Sequence, residues 1–182
     1  MEGEKALRLV RGQTLMQRAL ETLMPLCGQR AVSTGNRKLT LPRGILALPD
    51  LEPHVMQGPL SGLYAGLVAA RAAGFTTMLV LACDLPNMPT DLLSLLLREL
   101  RGHDVAFCEH GGQPEPLVCA LRVAPMLKAV RASLARGSFK VVPLWKAAKC
   151  RLLLDADLKE FEPLERTFAN VNTLSDLAKQ QP

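Results

Sequence analysis

Apolar and polar positions alternate along this chain in two periods, and the two periods take turns. From Thr14 to Leu26, Leu15, Ala19, Leu20, Leu23 and Met24 recur at helical spacing, with Arg18 and Glu21 elsewhere. Short apolar runs follow at 29–34 and 44–48, ended by Gly35-Asn36 and Pro49-Asp50, and they predict strands. Residues 59–73 predict a second helix, stopped by Gly74. Residues 75–82 form an apolar run between a glycine and a proline, the pattern of a strand buried on both faces. Thr90, with Asp91 after it, opens a third helix running to Arg101, with leucine at nearly every inward position. Strands are predicted at 104–108, 116–121 and 151–154, helices at 124–136 and 174–179, and the segment 141–145 fits either. The polar, turn-rich stretch Glu109 to Glu115 predicts a loop.

Strands and helices in this order imply right-handed crossovers, a mostly parallel sheet and helices on both of its faces. The expectation is one α/β domain over residues 1–182, without repeats or low-complexity linkers. Hydrophobic residues make up 48% and aromatics only 4%, so leucine, valine and alanine must build the core. The net charge of +5 suits an anionic substrate, and it equally describes scattered surface lysine and arginine. Aromatics are not interleaved with basic residues, which argues against nucleic acid as a partner. No apolar stretch approaches the ~20 residues of a membrane span. The odd, widely spaced cysteines Cys27, Cys83, Cys108, Cys119 and Cys150 include no Cys-x-x-Cys pair, so reduced thiols in a cytoplasmic protein are expected.

The candidate chemistry sits at strand ends. Asp84, in Ala82-Cys83-Asp84-Leu85-Pro86, follows the apolar strand where open α/β sheets bind ligands. Its hard oxygens suit Mg²⁺ bridging to a phosphate. The plainer reading is a capping or turn residue. Asn36 and Asp50 end two other strands, and each alone reads equally well as turn chemistry. Gly58-Pro59-Leu60-Ser61-Gly62 leads into a helix whose N-terminus favours an anion, although proline there is also ordinary helix punctuation. Asn170 and Asn172 lie two apart on an extended segment and point to one side, able to bind a heterocycle or a phosphate oxygen. Capping of the helix at Leu174 would account for Asn172 or Thr173, but not for Asn170.

These segments together resemble the molybdenum cofactor guanylyltransferases, within the nucleotidyltransferases of Rossmann-like, three-layer α/β fold. The resemblance rests on Glu4-Lys5-Ala6-Leu7, Arg11-Gly12-Gln13-Thr14-Leu15, Gly58-Pro59-Leu60-Ser61-Gly62, Cys83-Asp84-Leu85-Pro86 and Asn170-Val171-Asn172-Thr173, in the expected order. It implies transfer of GMP from GTP to the phosphate of molybdopterin, with release of pyrophosphate. It further implies that Lys5 contacts nucleotide phosphates, that Asn36 and Asp50 hold the guanine nucleotide, that Asp84 binds Mg²⁺, and that Asn170 and Asn172 face the pterin. A molybdoenzyme or its chaperone would receive the product. The family opens on a strand and a Leu-Ala-Gly-Gly loop ahead of the position of Lys5. This chain starts at Met1-Glu2-Gly3-Glu4, so the resemblance implies an N-terminally truncated domain without its first central strand. Such a chain is expected to be crippled or inactive and prone to aggregate. Leu174 stands where the family usually has proline. Two rival readings stay open: a cytidylyl- or sugar-nucleotidyltransferase sharing the Asp84 signature, and a nucleotide-binding or adaptor protein without catalysis.

Overall fold

A capped turn starts the first regular helix, α1 (Leu15–Leu23). Thr14 Oγ1 accepts from the Gln17 amide at 3.1 Å, and Gln17 Oε1 accepts from the Thr14 amide at 2.9 Å. This reciprocal pair satisfies donors that the helix would otherwise leave open. Two short strands precede it, β1 (Leu9–Val10) and β2 (Gln13–Thr14), joined through Arg11 and Gly12 at φ of 50° and 80°. The structure is a computed structural model and describes residues 5–171 and Asp176. The helix expected at 174–179 therefore lies outside the described residues.

The remaining elements are β3 (Arg30–Gly35), β4 (Ile45–Pro49), α2 (Pro59–Ala72), β5 (Thr77–Leu81) and α3 (Thr90–Glu99). Then come β6 (Val105–His110), β7 (Gln113–Arg122), α4 (Val123–Ala135), α5 (Val141–Ala147), β8 (Cys150–Leu153) and α6 (Leu164–Thr167). One sheet has the order β5-β7-β6-β8. β7 runs against both neighbours, while β6 and β8 are parallel, so β5, β6 and β8 share a direction. Alternate side chains of β6 and β7 enter opposite cores, as a sheet covered on both faces requires. Ala106, Cys108, Val118 and Ala120 pack with Leu92, Leu93 and Leu96 of α3. Val105, Phe107, Cys119 and Leu121 pack with Leu63 and Leu67 of α2, Val130 of α4 and Trp145 of α5. Burying each of these leucines contributes roughly 1.5–3 kcal/mol. Burial also pushes the Cys108 thiol up to about 12, so it is held as an inert thiol. Among the described residues no helix is long and apolar enough to cross a membrane.

The loop expected at 109–115 is instead a hairpin. His110 pairs with Gln113 around Gly111 and Gly112, whose φ values of 56° and 76° give the two-residue turn that matches strand twist. The strand expected from 116 extends back to Gln113. Pro116 falls within the register shift between Phe107 and Cys108, where a bulge tolerates a residue that cannot donate, and Pro114 stays in register opposite Glu109.

β3 and β4 pair in parallel and are not hydrogen-bonded to the four-stranded sheet. Helix α2 lies across both sheets on two glycines. A Cβ on Gly62 would collide with the Ser33 hydroxyl of β3, and one on Gly66 would sit 3.2 Å from the Met78 sulphur of β5. Among the described residues, β3 and β5 thus each keep one edge without a backbone partner, and Met78, Leu79, Val80 and Leu81 are only half-buried.

Candidate active site

The corner after β5 is held from three directions. Ala82 N donates to Leu117 O at 3.0 Å, extending the ladder past the strand end. Val171 N donates to Asp84 O at 2.9 Å, and Arg18 donates Nε and Nη2 to Pro86 O at 3.1 and 3.0 Å. Leu85 and Pro86 are buried behind the corner, which leaves Asp84 facing out of it. Asp84 Oδ2 accepts from Lys5 Nζ at 2.7 Å, with the two side chains 23% and 20% exposed. Asp84 stands in a turn but caps no helix. Helix α3 begins behind Pro89, and the Asp84 carboxylate goes to Lys5.

A carboxylate that the sequence had placed in a loop stands near Asp84. Leu81 pairs with Val118, and the next ladder bond joins Ala82 to Leu117. Further along β7, Glu115 lies near enough to Asp84 for the Asp84 charge to act on it. No described residue donates a hydrogen bond to the Glu115 carboxyl. Burial raises its pKa first, and the Asp84 charge raises it further, against a lowering by His110. A carboxyl raised in the folded state is more readily protonated there than in the unfolded chain. Stability is therefore lost as pH rises from below the ordinary value of 4.5 through the folded value. Glu115→Gln is expected to raise the melting temperature at pH 7, with the gain fading below about pH 4.5. Thermal melts from pH 4 to 8 check this, and an unchanged melting point across that range would refute it.

Beyond Glu115 the sheet end continues with His110, last residue of β6, and Asp155, which follows β8. His110 Nδ1 donates to Asp155 Oδ1 at 3.0 Å, and Gly111 N donates to Asp155 Oδ2 at 3.2 Å. These bonds hold the exposed Asp155 carboxyl below the usual carboxylate range. The imidazole stacks on Phe168 with ring centroids 5.3 Å apart.

Asn36 and Asp50 meet elsewhere, at the ends of β3 and β4. Asp50 N donates to Gly35 O at 2.9 Å, and Asp50 Oδ2 accepts from Met56 N at 2.8 Å. Asn36 Nδ2 reaches the Met56 sulphur at 3.1 Å. Met56 adopts φ 57° with 69% of its surface exposed. Ser61, in the first turn of α2, is buried and accepts from Gln57 N at 3.0 Å. Asn170 is exposed beside Val171 and so flanks Asp84, whereas Asn172 lies outside the described residues. The structure thus joins Lys5, Asp84 and the Asn170 segment in one place and Asn36 with Asp50 in another. Glu115, His110 and Asp155 are what sequence reasoning missed. Glu115 could have been found had the glycine pair at 111–112 been read as a hairpin turn.

The chain matches the MobA-like NTP transferase domain over residues 1–146. It is 32% identical to a molybdenum cofactor guanylyltransferase of Burkholderia vietnamiensis, over 98% of this chain and 87% of that protein. The crystal structure of molybdopterin-guanine dinucleotide biosynthesis protein A from Archaeoglobus fulgidus superposes with a TM-score of 0.74 at 21% identity, covering 98% of this chain and 89% of that one. 2-C-methyl-D-erythritol 4-phosphate cytidylyltransferase from Thermus thermophilus superposes with a TM-score of 0.67 at 17% identity, covering 98% and 93%. These two structures share the fold.

Proposed function

Because this chain belongs to the MobA-like NTP transferase family, we propose that it transfers GMP from GTP to the phosphate of molybdopterin and releases pyrophosphate. One observation carries the reading to particular atoms: the Asp84 carboxylate, fixed at the end of β5 by main-chain bonds and paired at 2.7 Å with Lys5. In the proposed reaction a phosphate oxygen of the acceptor attacks the α-phosphorus of GTP, and the bond to the β-phosphate breaks. Lys5 neutralises the departing pyrophosphate. Asn36 and Asp50 hold the guanine nucleotide, and Asn170 with Asn172 faces the acceptor. No covalent enzyme intermediate is needed, so catalysis is alignment and electrostatics.

The residues around Asp84 fit a divalent cation. Among the described residues no three His, Cys, Asp or Glu side chains form a metal cluster. Asp84 with Glu115 near it offers the one or two carboxylates that Mg²⁺ takes together with substrate phosphates. Bound there, Mg²⁺ would offset charge developing on the α-phosphate. The reading places the protein in the cytoplasm, with a molybdoenzyme or its chaperone receiving the product and with no nucleic-acid or membrane partner.

The reading also includes a further strand between β3 and β5, carrying a glycine-rich phosphate loop. Its support is the edges of β3 and β5 beneath α2, unpaired among the described residues, and the half-buried apolar residues 78–81. An unpaired edge is a site for strand addition or aggregation. Pyrophosphate release with molybdopterin and Mg²⁺ tests both points, using GTP, CTP and UTP on this chain and on a form extended by such a strand and loop. Release is expected from GTP alone, at least about tenfold faster in the extended form, since a loop of amides cradling phosphates contributes more than 1.4 kcal/mol. Equal rates would remove the added strand from the account. Release from CTP would favour the cytidylyl alternative.

A further inference from the structure

The residues along the sheet end follow strand order: Asp84 after β5, Glu115 on β7, His110 on β6 and Asp155 after β8. The guanylyl-transfer reading, on which this inference rests, assigns the nucleotide to the β3–β4 flank of Asp84. In-line displacement then brings the acceptor from the opposite side, over β7, β6 and β8. The polar group built on that side is His110.

Two contacts fix its ring, and a third holds Asp155 in place. Asp155 carries no proton to give, so Nδ1 of His110 carries the hydrogen of their 3.0 Å bond, and the other ring nitrogen remains for a ligand. Gly111 N holds the second Asp155 oxygen, and Phe168 supports the ring plane at 18°. His110 and Asp155 line an open depression of about 540 Å³ together with Glu162, Leu164 and Glu165. Two strand spacings separate β5 from β6, about 10 Å at ~4.8 Å each. That is too far from Asp84 to touch the reacting phosphorus and within the length of an acceptor whose phosphate lies at Asp84.

We infer that His110, oriented by Asp155 and Phe168, hydrogen-bonds the heterocyclic body of the phosphorylated acceptor and sets its affinity. Asp155 is a positioning residue acting through the imidazole. Glu115 lies between, close enough to feel both Asp84 and His110.

The test varies molybdopterin at saturating GTP for the unaltered protein, His110→Gln and Asp155→Asn. KM for molybdopterin should rise about tenfold in His110→Gln, as expected for one lost hydrogen bond, and less in Asp155→Asn. A general structural defect would also move kcat and KM for GTP, and both should stay unchanged. Calorimetric binding of molybdopterin without turnover reads the same contact, and His110→Gln should weaken it by a similar factor. Unchanged molybdopterin affinity in His110→Gln, or an equal rise for GTP, overturns the inference. A protein that binds molybdopterin through His110 yet releases no pyrophosphate from GTP would sustain this contact and overturn the guanylyl-transfer reading.

Discussion

Replacing Asp84 with alanine is expected to lower guanylyl transfer by about three orders of magnitude, near 4 kcal/mol of transition-state stabilisation. The loss comes from removing the carboxylate that anchors the cation and holds Lys5 at 2.7 Å. Alignment of phosphates and cancellation of their charge are the whole of catalysis in this reaction, so no other residue replaces it. Asp84→Asn should be nearly as inactive, because it keeps the shape and removes the charge. Neither change should unfold the protein. The ties to Val171, Leu117 and Arg18 run through main-chain atoms of the corner, which both variants retain. Pyrophosphate release and thermal melting on the same samples check this. Activity within about tenfold of the original in Asp84→Asn would remove the carboxylate from the mechanism.

Trp145→Ala is expected to destabilise the fold by about 3–5 kcal/mol, a large share of the 5–15 kcal/mol available to a typical domain. Trp145 has no exposed surface and fills the space between α5 and the β6–β7 face beside Phe107 and Val130. Its Nε1 donates to Pro116 O at 3.0 Å. That carbonyl sits at the bulge of β7, next to Glu115, so the side chain also fixes the strand facing Asp84. Trp145→Phe keeps most of the volume and leaves Pro116 O without its donor, for a cost of about 1–3 kcal/mol. Urea unfolding followed by far-UV circular dichroism measures both, since the chain has a single tryptophan and the variants lose its fluorescence. A cost under about 1 kcal/mol for Trp145→Ala would mean this face is not close-packed.

The layered α/β fold was legible because its signals are local. The helical spacing of Leu15, Ala19, Leu20 and Leu23 announces α1, the leucines of 92–100 announce α3, and the apolar run ending at Leu81 announces β5. Asp84 was legible for the same reason, standing where a strand ends on a sheet edge. What escaped depends on pairing. The polar, turn-rich stretch 109–115 reads as a loop until the pairing of His110 with Gln113 shows the hairpin. Glu115 and Asp84 come near each other only through the pairing of β5 with β7, and Asp155 reaches His110 across 45 residues of chain. The short β1–β2 hairpin and α6 are too brief for either period to register. The separation of β3–β4 from the other sheet is likewise a matter of which edges meet, which no single segment encodes.

The central claim is that the Asp84 carboxylate holds a divalent ion against the phosphates of GTP. Crystals grown with Mn²⁺ in place of Mg²⁺ and soaked in GTP test it most directly, because the anomalous signal locates the ion. The account predicts an anomalous peak bonded to an Asp84 carboxylate oxygen and to nucleotide phosphate oxygens. A nucleotide bound with its ion held elsewhere, and Asp84 still engaged only with Lys5, would contradict it.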